Sequence, residues 1–385
     1  DDYLRGLALN TNMMEDNTLN QQETTLHKNS TIKNNNNNTS ATTKKKKKKN
    51  AQCRRIAEHR LNFPNCNEMH QFDRLDPLSF WIFLNEGTYR QVFAIIHRQR
   101  EIFAMKAISY DLEFKPDNYE FVRMDAIVAE RLSASPRSFD LYAYCGVAIL
   151  SEYFYHGDIE KDVMGANDGF IDPNILKNQK SLQPQNNFTG IEKLVLSLEM
   201  AEALADLHGY AHGLIVHDDV QLSQFLFDKD KTRLKLNDFN RAEFPLFDEN
   251  NQEYCRWRNG PGYGNWRSPE EYLNSPLTEQ IDVWSLGNNM YTILTGLEPL
   301  YDERSSTNSS KRIIQGETAY IDPQYHERST SEAILAEIIP KCFAFQPEDR
   351  PTIFDLVRIL RHAVQENLSP GMTRAKVLQG IKTEY

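Results

Sequence analysis

The sequence has 385 residues, 40% of them hydrophobic and 11% aromatic, enough apolar material for one large or two ordinary globular cores. Its formal net charge of -10 excludes a chain that binds nucleic acid along its whole surface, because a phosphate backbone selects positive proteins. The five cysteines are too scattered for a small secreted disulfide scaffold, and no stretch approaches the roughly 20 consecutive apolar residues that cross a bilayer. Unpaired, reduced thiols in an intracellular setting, cytoplasmic or nuclear, are therefore the expectation. The first residues are Asp1 and Asp2 rather than Met, with no signal peptide, and an anchor further upstream stays open.

Residues 1–72 lack sustained hydrophobic periodicity and are rich in Asn, Thr, Gln and Lys, so they are expected to be a disordered tail. The run Lys44 to Lys49 is a nuclear-import signal, a contact for an anionic surface, or merely a solvated block. Cys53, His59, Cys66 and His70 are spaced by six, seven and four, which fits no usual zinc pair.

From about residue 80 the texture changes. Short β-rich runs at 80–84, 91–97, 101–109, 141–145 and 147–154 predict strands, with one helix at 121–133. Helical periodicity follows at 191–208, 278–295, 331–343 and 353–362, while polar stretches at 157–189 and 302–312 predict loops. The reading is α+β, with a small β-rich lobe over about 80–155, a larger mainly α-helical lobe over about 156–362, and a C-terminal tail over 363–385.

Several segments stand out in this order. LNEGTYRQV at 84–92 lies between two predicted strands and keeps one central glycine, Gly87, followed by Val92. FAMK at 103–106 ends an apolar strand in Lys106, which needs an anionic partner if buried. That partner is Asp125 or Glu130 on the following helix. ILSEYF at 149–154 is an apolar strand running into a loop; VHDDVQLSQFL at 216–226 and KLNDFN at 235–240 are acid-bearing stretches bounded by apolar runs. WRSPE at 266–270, IDVWSLG at 281–287 and Arg350-Pro351 close the series.

Taken together, these segments resemble the landmarks of eukaryotic-type protein kinases, with some wording close to the tyrosine-kinase-like serine/threonine branch. The resemblance covers residues 80–362 and implies a bilobal kinase fold that binds ATP and magnesium. In it Asp219 is the base that meets the substrate hydroxyl, and Lys106 contacts the phosphates with Asp125 as its partner. Gly87, Val92 and Ala104 line the nucleotide, and Ser151, Glu152 and Phe154 lead through the adenine-binding hinge. Asp238 and Gln224 are the implied magnesium ligands. Glu270 is expected to pair with Arg350.

The chain departs from the family at functional places. Asn85 and Arg90 replace the outer glycines, Asp218 an arginine, Gln221 a lysine, Gln224 an asparagine and Asn240 a glycine. The charges most needed for phosphoryl transfer survive, while auxiliary ones do not. Two expectations stay open: a kinase transferring phosphate to Ser or Thr hydroxyls of an unknown protein substrate, or a pseudokinase that binds nucleotide or partners. Between Asp238 and Glu270 the only Ser or Thr is Ser268, with Tyr254 and Tyr263 as the other hydroxyls. Asp218 would repel a phosphate there, so no activating phosphorylation is expected.

Overall fold

The computed structural model of the chain describes residues 52–54, 66–70, 72, 79–87, 89–97, 101–113, 115–164, 168–172 and 182–382. The asparagine and lysine runs expected to be disordered lie outside these residues. The fold is α+β, with a sheet in the N-terminal part and helices in the C-terminal part.

The sheet of the small lobe is antiparallel, in the order Ser79–Glu86, Arg90–His97, Glu101–Ile108, Ala148–Glu152, Leu141–Cys145. Alternation along these strands sends Ile95, Met105, Ala143 and Leu150 to one buried face. The register sets Val92 beside Lys106 and Ala104 beside Ser151. The helix Pro116–Arg131 starts earlier than its apolar spacing predicts, because Pro116 suits a first helical turn where no amide hydrogen is needed. It buries Val122, Ala126, Ile127, Val128 and Ala129.

The large lobe is built on Gly190–His208 and Gln280–Thr295. The first is fastened at its start by a reciprocal Thr189–Glu192 capping box. The second is buried along its whole length and stops at Gly296, whose φ of 74° is open to glycine at little cost. Thr330–Cys342 and Ile353–Asn367 complete the helical core. Arg350 forms a two-pronged ion pair with Glu270, at 2.6 and 2.8 Å, as the late arginine was expected to do.

Four expectations are corrected. The stretch read as a loop over 302–312 contains the helix Ser306–Ile314, whose polar run hid a weak apolar face carrying Ile313. The C-terminal stretch is packed rather than a bare tail: one helix continues to Asn367, and Arg374–Gly380 buries Val377 and Leu378. The described part of 52–72 also belongs to the fold. Cys53–Arg54 is a strand paired with Phe247–Asp248, Cys66–Met69 is a helical turn, and Phe72 joins the small-lobe core.

The fourth concerns the thiols. Disulfides join Cys53 to Cys255 and Cys66 to Cys145, and Cys342 alone is free and buried. Wide spacing in sequence concealed both pairs, which form across 202 and 79 residues. Cys53 and Cys66 are thereby taken, and among the described residues no His, Cys, Asp and Glu cluster stands ready for a metal. No helix of the described residues is long and apolar enough to cross a membrane.

Candidate active site

Lys106 reaches the interior from the middle strand of the small sheet, only 7% exposed. Its ammonium donates to the Asn237 side-chain oxygen at 2.5 Å, lies 3.8 Å from the Asp125 carboxylate, and sits 5.0 Å over the Phe139 ring. Burial drives this lysine below its ordinary pKa range; Asp125 opposes that, and Arg90 adds to it. Asp125 is therefore the helix acid in the cleft. Glu130, the other candidate, pairs with its neighbour Arg131.

Asp125 is fully buried, which alone would raise its pKa, yet Lys106, Arg90 and the Phe239 amide hold it below the ordinary carboxylate range. Its Oδ1 accepts from Phe239 N–H at 2.8 Å, which locks the helix to the segment after Asp238. Phe239 stacks on Phe139 with centroids 5.6 Å apart and meets the His217 ring edge-on. Asp238 itself stands at φ 62°, a left-handed conformation that non-glycine residues rarely adopt. Asn240 takes the position after Phe239 without a positive φ, so the missing glycine costs this backbone nothing there.

The stretch 216–226, which carries Asp219, is held from below. Asp282 accepts from the main-chain N–H groups of His217 and Asp218 at 2.8 and 2.9 Å. His217 in turn contacts the Asn237 carbonyl at 3.1 Å, and its other ring nitrogen lies 3.2 Å from Asp219 N. Positions 219 and 237 are thus tied through one imidazole, and Asn237 is also the residue whose side-chain oxygen Lys106 holds. Gln224 is brought alongside by its carbonyl, which accepts from Asn237 N at 2.9 Å.

The hinge candidates hold the strand edge. Ser151 is buried with its hydroxyl against main-chain oxygens of Ala104 and Glu152. Glu152 turns its carboxylate to Lys235 at 2.5 Å and to the Asp140 amide at 2.7 Å. Phe154 packs against the large core. Gly87 N–H donates to the Arg90 carbonyl at 2.8 Å and closes the tight turn.

Two arginines that the sequence reading did not place in the site are found in it. Arg90 donates to Asp125 Oδ2 at 2.5 Å and to Asp238 Oδ1. Arg267 donates to Asp219 Oδ1 at 2.7 Å and to the Asp218 carbonyl at 2.6 Å. Each is a charged residue at a position where the resemblance asks for none, and that oddity was the available signal.

Asp218 has also changed sign relative to the arginine it replaces. It is buried at φ 60°, with Arg241 at 3.5 Å, Arg267 at 3.9 Å and the Asn259 amide donating to it. Burial, with Glu271 nearby, pushes its pKa well up. The segment from Asp238 to Glu270, the activation segment of the resemblance, supplies both of these cations and the amide.

As ligands for magnesium, Asp238 and Gln224 provide one carboxylate and one amide oxygen, hard donors of the right kind, with Asp238 Oδ1 already engaged by Arg90.

Comparison with known proteins fits this arrangement. A rice calcium and calcium/calmodulin-dependent serine/threonine-protein kinase (Oryza sativa subsp. japonica) is 31% identical over 164 residues, covering 42% of this chain and 29% of the relative. A PTI1-like tyrosine-protein kinase of Arabidopsis thaliana is 26% identical over 193 residues, covering 46% and 51%. Calcium/calmodulin-dependent protein kinase type IV of Mus musculus is 28% identical over 162 residues, covering 42% and 32%. The chain thus spans about half or less of the length of these relatives. The sequence profile of the protein kinase domain matches residues 83–363, from the strand before Gly87 to the helix after Arg350, and the chain belongs to the protein kinase family.

Proposed function

We propose that the protein is an ATP- and magnesium-dependent kinase that transfers phosphate to Ser or Thr hydroxyls of a protein substrate. The observation that carries this reading is the continuous chain of contacts from Asp125 and Lys106 through Asn237, the neighbour of Asp238, and His217 to Asp219. Asp219 orients the substrate hydroxyl and accepts its proton, held in direction by Arg267 and Gln221. Lys106 positions the phosphates from the strand, and Phe239 keeps Asp125 and Asp238 in register. Magnesium, when bound at Asp238 and Gln224, supplies charge neutralisation on the phosphates.

A second reading is favoured by Arg90 on Asp238 and by the glutamine at 221: a kinase-fold scaffold that holds nucleotide or protein partners without transfer. Labelled-phosphate transfer by the purified chain separates the two. Loss of transfer in both Asp219→Asn and Lys106→Ala supports the kinase. No transfer by the unaltered protein at any magnesium or manganese level supports the scaffold.

A further inference from the structure

Arg90 opens the strand Arg90–His97, directly after the turn that Gly87 closes, and is 7% exposed. Its fork joins two carboxylates that approach from different elements, Asp125 on the helix and Asp238 beyond the Leu234–Leu236 strand. Lys106 stands 3.8 Å from the same Asp125 oxygen. Two cations and two carboxylates therefore balance in the cleft before any anion enters.

Burying a guanidinium is costly, and Asp125 already has Lys106 3.8 Å away. The loop around Arg90 has meanwhile lost the outer glycines that would let its backbone amides approach phosphate closely. A guanidinium carries five donors in a planar fork that matches phosphate oxygens, and only two of its contacts here are to carboxylates.

We propose that Arg90 is a ligand of the nucleotide phosphates, a cation carried by the loop in place of glycine amides, so that ATP binding, as distinct from phosphate transfer, needs no divalent ion. This rests on the nucleotide-binding part of the proposed function. The rival account is a strut that merely braces Asp125 against Asp238.

Binding of ATP and of adenosine to the full chain, in EDTA and in magnesium, tests it. The unaltered protein is expected to bind ATP in EDTA within about tenfold of its affinity in magnesium. Arg90→Ala should weaken ATP in EDTA by about tenfold or more, the scale of losing charge-assisted hydrogen bonds, while adenosine binding stays unchanged. Arg90→Lys should recover part of the loss. ATP binding untouched by Arg90→Ala, or ATP and adenosine weakened alike, overturns the proposal in favour of the strut. ATP binding by the unaltered protein only when magnesium is present also overturns it. Failure to bind nucleotide at all overturns it together with the nucleotide reading, whereas Arg90-dependent binding without phosphate transfer leaves it standing and removes only the transferase.

The disulfides carry a second, independent inference. Their Cα atoms are 6.3 and 4.7 Å apart, within the span such a bond requires, and each bond ties the N-terminal segment to the kinase domain. Cys53 fastens it to the activation segment at Cys255, beside the three-stranded sheet of Cys53–Arg54, Phe247–Asp248 and Glu253–Tyr254. We infer that the protein matures in an oxidising compartment, each pair of thiols yielding two protons and two electrons to a disulfide-exchange oxidant. Alkylation of the protein in its native cells, then peptide mapping without reductant, should recover both linked pairs and only Cys342 alkylated. Recovery of Cys53, Cys66, Cys145 and Cys255 as alkylated thiols overturns it.

Discussion

The guanidinium of Arg267 lies 2.7 Å from the carboxylate of Asp219, across 48 residues of sequence. It brings positive charge beside Asp219 where Gln221 has none to offer, and although burial works against its charge, the carboxylates of Glu271, Asp219 and Asp218 outweigh it and keep it charged. Arg267→Ala is expected to lower phosphate transfer by about 100-fold, mainly in kcat, as expected when a donor at the developing charge is removed. Arg267→Lys should retain more. Steady-state kinetics over ATP and peptide concentrations checks both.

Asp218 already has Arg241 and Arg267 close by and accepts from the Asn259 amide, so the segment from Asp238 to Glu270 is expected to need no phosphate. The Tyr254 hydroxyl already accepts from Leu214 N at 2.8 Å, and Ser268 is buried in its own capping box with Glu271. Tyr263 is the more exposed of the two tyrosines, at 69% against 39% for Tyr254. Tyr263→Phe should leave activity and stability unchanged, and phosphatase treatment should not lower activity. Phosphopeptide mapping beside an activity assay measures this.

Glu270 and Arg350 are a buried pair, with Arg350 also donating to the Gln280 and Ala344 carbonyls. Glu270→Ala strands the guanidinium, and breaking such a pair costs about 3–5 kcal/mol. Urea unfolding should show a midpoint well below that of the unaltered chain. Arg350→Ala should be comparably damaging.

Burial, with Glu160 adding a smaller part, pushes Glu298 up to about 7. Its folded pKa is raised above the unfolded value, so the stability linked to its proton is full below about pH 4.5 and is lost as pH rises towards 7. Glu298→Gln should therefore gain on the unaltered protein between pH 5 and pH 8. The relative shift is expected at about 1–2 kcal/mol, or about 2–6 °C in Tm, in calorimetry at the two pH values.

The lobes, their order and the pairing partner of Arg350 were legible because each rests on local periodicity or a short motif. The strand that carries Lys106 was legible for the same reason, whereas the choice between Asp125 and Glu130 as its neighbour needed the structure. What sequence could not give was direction over distance. Nothing local says that Arg90 turns inward to Asp238, 148 positions on, or that Arg267 turns back to Asp219. Polar composition likewise masked Ser306–Ile314, where Ser309 and Ile313 are buried among mostly exposed neighbours. The disulfides escaped for want of any spacing rule linking cysteines so far apart.

Because Phe72, Cys66 and Cys53 complete the cores and bonds of residues far downstream, the choice of starting point for a recombinant fragment is not neutral. A chain trimmed to begin at Ser79 would keep every nucleotide-facing group, yet leave Cys145 and Cys255 as orphaned thiols and bare the outer edge of Phe247–Asp248. Such a product should run as reductant-sensitive oligomers on a sizing column, whereas the longer chain stays monodisperse.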